Sequence, residues 1–198
     1  MSVQNLERLL LDVRSCTFCK EVLPLGPNPV LRANTKAKIL IVGQAPGTKV
    51  HRTGIPWNDP SGDRLRQWMN LSRDQFYDEQ QIAIIPMGFC YPGKGKSGDL
   101  PPRPECAELW HARLMAQLKN IQLTLCIGQY AQNHYIAGDY KTLTERVVDW
   151  QKFIPRYLPL PHPSPRNTFW LKRNSWFEEQ VVPYLQQAVA DILQEHRI

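Results

Sequence analysis

Five cysteines, one proline-flanked histidine and one glycine-rich loop are the residues of this sequence best suited to chemistry. Cys16 and Cys19 form a C-x2-C pair, and Cys90 and Cys106 follow with fifteen residues between them. Cys126 sits inside an apolar run and reads as a core thiol. A C-x2-C pair plus two further cysteines, in a chain that opens on no secretory signal, reads as a metal site before a disulfide framework. Four thiolates suit either tetrahedral zinc or an iron–sulfur cluster, and spacing alone does not choose between them.

His162 stands in Leu158–Asn167, LPLPHPSPRN, where Pro161, Pro163 and Pro165 hold it and Ser164 on a stiff loop. A matching loop lies in Lys38–Asp63, KILIVGQAPGTKVHRTGIPWNDPSGD. Its apolar run Ile39–Val42 fits a strand buried on both faces, and it ends abruptly in Gly43-Gln44-Ala45-Pro46-Gly47. Glycines let such a loop turn sharply and come close to a ligand, and ligands of open α/β sheets bind beyond the carboxyl ends of strands. A plain strand-to-helix connection has the same shape; the histidine in the second loop is what points to a site.

The elements that position these loops alternate. Val3–Val13 has amphipathic helical spacing, and a Pro/Gly-rich loop runs from the C-x2-C pair to about Asn34. A helix starts at Pro60 or Ser61 and runs through Leu65, Trp68 and Met69, with Asp63 in its first turn. Ile82–Met87 is a second buried strand, leading into a long irregular segment. Pro104 opens a helix through Leu118, and Leu123–Ile127 is a third strand. Gln129–Ile136 and Leu143–Phe153 read as helices and Tyr157–Leu160 as a fourth strand. Trp176–Glu195 is a closing helix, broken or kinked near Pro183. Strands alternating with helices imply an α/β fold with a parallel sheet between helical layers.

At 198 residues, with 42% hydrophobic and 21% charged residues, the chain has the size and composition of one globular domain, 1–198. No apolar run is long enough for a membrane span and the N-terminus lacks a signal-peptide pattern, so the expected compartment is the cytoplasm. A net charge of +6 favours a polyanionic partner. Gly93–Gly98, GKGKSG, is not a GxxxxGK[ST] phosphate loop, which argues against nucleotide hydrolysis; it reads as a DNA-backbone contact or a plain surface loop.

GQAPG followed by Gly54-Ile55-Pro56-Trp57, and the later HPSP, resemble the two motifs of the uracil-DNA glycosylase superfamily, in the family's order. The resemblance implies a three-layer α/β fold: a central four-stranded parallel sheet with helices on both faces. One branch of the family holds a [4Fe–4S] cluster on a C-x2-C pair and a later, well-separated pair of cysteines. Cys16, Cys19, Cys90 and Cys106 match all four places, which implies a structural iron–sulfur cluster, with structural zinc as the alternative. The implied partner is DNA carrying a damaged base, and the expected state is a monomer.

The family chemistry assigns expected roles. As the glycosidic bond breaks, negative charge builds on the leaving base, and a donor at the uracil O2 stabilises it. His162 matches that donor. Gln44 matches the polar residue of the first motif and, with Gly43, Ala45 and Asn58, is expected to line the base. Trp57 stands where the family commonly has Phe and either stacks on the flipped base, a contact worth about 1–3 kcal/mol, or packs in the core. Ser61 and Ser164 are expected phosphate contacts, and Arg166, Lys172 and Arg173 either bind DNA or form a solvated basic face. Arg166 holds the place of the family's apolar wedge. Two departures stand out: Ala45 replaces the water-positioning Asp of GQDPYH, leaving Asp59, or else Asp63, or no residue at all, to supply a charge, and Pro86 takes the place of a base-reading Asn. The expected activity is hydrolysis of the N-glycosidic bond of uracil or another deaminated base in DNA. The alternatives are a catalytically weak or inactive nucleic-acid-binding protein on the same fold, and a hydrolase of free nucleosides.

Overall fold

The computed structural model describes residues 5–194; the expected helix residues Val3 and Glu195 lie outside them. Four strands form, β1 (Ile39–Val42), β2 (Ile82–Ile84), β3 (Leu123–Ile127) and β4 (Tyr157–Leu160). They pair in parallel in the order β2-β1-β3-β4, with Ile39 opposite both Ile82 and Leu123, and Leu125 opposite Leu158. Both faces are covered, which is why these strands are mostly apolar runs rather than alternating, with Thr124 the buried exception in β3.

The pleat still sorts them. Ile39, Ile41, Ile82, Ile84, Leu123 and Leu125 pack with Leu65, Trp68 and Met69 of α3 (Pro60–Met69) and with Leu185 and Val189 of α10 (Val182–Gln194). Leu40, Val42, Ala83 and Cys126 face the other way, onto Leu6, Leu9, Leu10 and Val13 of α1 (Leu6–Arg14) and Leu114 of α6 (Ala112–Met115). The result is the expected three-layer α/β arrangement.

Several expected bounds shift. β2 ends at Ile84, not Met87. The Ile85 amide still donates to the Ile41 carbonyl in the ladder's register, but the amides beyond Pro86 do not keep a strand's alternation. The chain turns instead across the end of β1, and Met87 and Gly88 donate to the Gly43 and Gln44 carbonyls, each at 2.9 Å.

The helix expected from Pro104 to Leu118 is α5 (Pro104–Cys106), a π turn (Ala107–His111) and α6, ending at Met115. The helix expected over Leu143–Phe153 is α8 (Leu143–Val148), started by a Thr142–Glu145 capping box, and a 3-10 turn (Trp150–Lys152). α7 spans Gln129–Tyr135. The expected break near Pro183 takes the form of a π turn (Phe177–Val181) leading into α10. Three short helices were not expected: α2 (Thr48–Thr53), α4 (Arg73–Phe76) and α9 (Thr168–Arg173). No helix among the described residues is long and apolar enough to cross a membrane.

Candidate active site

The loops after β1, β2 and β4 converge on one pocket. It encloses about 430 Å³, counting the space open to solvent, and its walls include Gly43, Gln44, Ala45, Trp57, Asp59 and His162. These residues come from two stretches more than a hundred positions apart in the sequence. Pro86 and Ile84 close the back of the pocket from the β2 side.

His162 follows β4, whose end is anchored from behind by the fully buried Gln132: its Nε2 donates to the Leu160 carbonyl at 2.9 Å. Asn167 Nδ2 donates to the His162 carbonyl at 2.7 Å, closing the proline loop on itself. Burial lowers the His162 pKa, because a charged imidazolium loses hydration there; the negative charge of Asp59 opposes this in part. His162 is therefore held neutral to lower pH than a free imidazole. Its ring faces the indole of Trp57, with centroids 5.5 Å apart and planes at 32°.

Trp57 takes φ 56°, a left-handed conformation that a bulky residue adopts only when its surroundings enforce it. The enforcement is visible. Arg66 Nη1 donates to the Trp57 carbonyl at 3.2 Å, and the Tyr77 hydroxyl donates to the Pro56 carbonyl at 2.7 Å. Arg66 is buried and its other nitrogen pairs with Asp63 at 2.6 Å, so the carboxylate considered as a second charge for the site is spent on this clamp. Two glycines make room: a Cβ on Gly43 would lie 2.8 Å from the indole, and one on Gly62 only 1.8 Å from the Trp57 carbonyl oxygen.

Asp59 lines the pocket and also caps α3, its Oδ1 accepting from the Gly62 amide at 2.8 Å. Gln44 Nε2 reaches the Leu100 carbonyl at 3.4 Å, so the loop carrying Gly93–Leu100 abuts the pocket. Asn58 is not brought to the pocket wall; its side chain accepts from Arg73 Nη2 at 3.0 Å and donates to Thr53 Oγ1 at 3.4 Å.

The expected DNA contacts separate. Ser61 is buried in the first turn of α3. Ser164 Oγ accepts from the Arg166 amide at 3.2 Å, capping the turn Pro165–Asn167, and its carbonyl accepts from Arg64. Arg166 is exposed, and its guanidinium lies against Gly98 with Asp99 near enough to be influenced by its charge. Lys172 and Arg173 are exposed in the last turn of α9.

A model of the uracil DNA glycosylase superfamily matches residues 32–186. The chain belongs to that superfamily. A curated relative, the Type-4 uracil-DNA glycosylase of Thermotoga maritima, is 25% identical over 155 residues, which cover 74% of this chain and 77% of that protein.

In this superfamily member Cys16, Cys19, Cys90 and Cys106 all line a second hollow, of about 320 Å³ counting the space open to solvent, together with Phe89, Arg103 and Trp110. Burial pushes the thiols of Cys90 and Cys106 up to about 11 and about 12. The Phe89 amide donates to Cys106 Sγ at 3.5 Å, and Arg103, ion-paired with Glu105, lies close enough to Cys19 to oppose the rise of its pKa. Among the described residues no three His, Cys, Asp or Glu side chains stand close enough to hold one metal ion. Cys126 is apart from the other four cysteines, fully buried in β3.

Sequence reasoning missed Arg66, Tyr77, Gln132 and His111, because each acts through a contact with a distant segment and none sits in a motif. His111 carries an expected acid sensitivity. Burial lowers its pKa to about 4, with nearby His134 adding to the effect and a hydrogen bond to Pro86 opposing it. An unfolded histidine titrates near 6.5, so between these values the unfolded chain binds a proton that the folded chain refuses. Stability is therefore expected to fall as pH drops from about 6.5 to about 4, by roughly 3 kcal/mol at the limit. Urea unfolding at stepped pH checks this: a His111→Gln variant should show a shallower loss, and an equal slope in both proteins excludes the assignment.

Proposed function

We propose that the protein is a DNA glycosylase that hydrolyses the N-glycosidic bond of uracil, or of another deaminated base, and leaves an abasic site. The observation that carries this reading is the meeting of Trp57, Gln44, Asp59 and the half-buried His162, its pKa lowered, in one pocket at the carboxyl ends of the strands. A base reaches such a pocket only by leaving the stack. Trp57 offers it a face. As the bond between C1′ and the base nitrogen breaks, its electron pair stays on the base, and the His162 N–H stabilises the charge at the carbonyl oxygen. Water then adds to C1′ and gives up a proton. Asp59 is the carboxylate available to orient that water or to offset positive charge on the sugar.

The base's polar edge falls to Gln44 and the amides of the Gly43–Gly47 turn, because Ala45 and Pro86 present no side-chain donor or acceptor. This favours uracil or a deaminated purine over one strictly read base. It is also the observation behind a second reading, a weak or inactive nucleic-acid-binding protein. Arg166, Lys172, Arg173 and Ser164 are the proposed DNA contacts, and we take the protein to act in the cytoplasm as a monomer.

Four cysteines lining one hollow support a bound [4Fe–4S] cluster, with structural zinc as the alternative. Bound there, such a cluster would tie the N-terminal segment to the segments holding Cys90 and Cys106. Cys106→Ser is expected to cut iron and sulfide content and bleach the broad absorbance near roughly 400 nm. A colourless wild-type protein with one zinc per chain excludes the cluster.

The deciding experiment is base release from labelled oligonucleotides carrying uracil, hypoxanthine or xanthine, single-stranded and paired, followed by alkaline cleavage. Cleavage at one lesion supports the glycosylase and names its base. Equal binding of all oligonucleotides with no base released supports the binding protein, and release from free deoxyuridine alone supports a nucleoside hydrolase.

A further inference from the structure

His111, at the end of the π turn Ala107–His111, is 1% exposed and has no part in the chemistry above. Its Nε2 lies 3.0 Å from the Pro86 carbonyl and its Nδ1 2.7 Å from the Tyr135 hydroxyl. A carbonyl can only accept, so Nε2 carries the proton and donates to Pro86, and Nδ1 accepts from Tyr135. The imidazole also lies flat against Phe89, with centroids 5.6 Å apart and planes at 8°.

Pro86 and Phe89 bracket the piece of chain that joins the two hollows. Pro86 is the back wall of the base pocket, and Cys90 lines the cysteine hollow. Between them Met87 and Gly88 donate to the Gly43 and Gln44 carbonyls, and Phe89 donates to Cys106 Sγ. The ladder to β1 holds Ile85 and Met87 on either side of Pro86, while the Pro86 carbonyl points away from β1 and is held by His111 from behind. An apolar residue would fill the space behind Pro86 without the cost of burying a Tyr–His–carbonyl chain.

Resting on the glycosylase reading, we propose that His111 is a positioning residue for the base pocket: it fixes the Pro86 wall and, through Met87 and Gly88, the Gly43–Gln44 turn at the spacing a flipped base requires. The wall touches the base equally before and during bond cleavage, and His162 hangs from a different strand. Loosening the wall therefore raises KM far more than it lowers kcat.

The test uses the full chain as wild type, His111→Phe, His111→Gln and Tyr135→Phe. Phenylalanine keeps the ring against Phe89 but loses the donor; glutamine keeps an N–H where Nε2 was. The readouts are KM and kcat for uracil release from a single-stranded oligonucleotide, and quenching of tryptophan fluorescence by free uracil. His111→Phe is expected to raise KM and weaken uracil binding by about tenfold with kcat changed less than about threefold, and His111→Gln to stay within about threefold throughout. A folded His111→Phe protein with wild-type KM and uracil affinity overturns the proposal, as does a glutamine variant as impaired as the phenylalanine one. Should His111→Phe not fold, Tyr135→Phe decides, because it frees only the far side of the ring: a KM rise of about threefold or more supports the proposal and an unchanged KM overturns it. A wild-type protein that releases no base sinks the glycosylase reading alone. In that case uracil quenching still judges His111, for or against, by whether the variants bind uracil more weakly.

Discussion

Replacing His162 with alanine is expected to lower base release by about two to three orders of magnitude, the usual cost of removing one donor from a developing anion. The loss should fall on kcat, because the hydrogen bond strengthens only as charge reaches the base carbonyl. Stability should change little by comparison, since His162 forms the lining of a pocket and not the interior of a core cluster. The pH profile gives an independent check. Burial lowers the His162 pKa, so the neutral imidazole persists as pH falls past the ordinary value near 6.5. Base release limited by neutral His162 should stay level through that value and decline only at lower pH. A break at or above about 6.5, or an alanine variant within about tenfold of wild type, removes His162 from the role.

The second large effect is expected at Gly62, where secondary-structure propensity points the wrong way. Gly62 lies inside α3, and alanine in a helix interior is ordinarily favoured over glycine by about 1 kcal/mol. Here a Cβ would come within 1.8 Å of the Trp57 carbonyl oxygen and 2.6 Å of its carbon, and both are backbone atoms. Neither partner can step aside. Trp57 is already in the left-handed region, and its carbonyl is held by the buried Arg66. Gly62→Ala is therefore expected to destabilise the protein by about 1–3 kcal/mol. By pushing the indole away from Gly43 and His162, it should also reduce base release by about tenfold or more, as misplacing a substrate-positioning group does. Thermal melting and the oligonucleotide assay on the same sample check both halves. A variant that is stabilised and fully active would mean that Trp57 is free to move.

The strands, and the two loops that meet at the pocket, are readable from the chain. Ile39–Val42, Leu123–Ile127 and Tyr157–Leu160 form as expected, because continuous apolar runs bounded by glycine, proline or polar residues have few other places to go. The two loops were recognisable because glycine and proline constrain the backbone locally, wherever the chain is placed. Local signals failed where a partner from elsewhere decides. The end of β2 depends on how the Met87 and Gly88 amides meet the loop after β1, and the direction of Asn58 on Arg73 and Thr53. Asp63 looked like a possible second charge for the site, but it pairs with Arg66, whose burial beneath Trp57 no sequence pattern announces. The cysteine spacing admitted zinc and iron–sulfur alike. Their arrangement around a hollow arises from packing the N-terminal segment against the turn beyond β2. Residue type and short-range geometry are written into neighbouring positions of the chain. Separation, burial and the neutral state of His162 arise only when distant segments exclude water from one another.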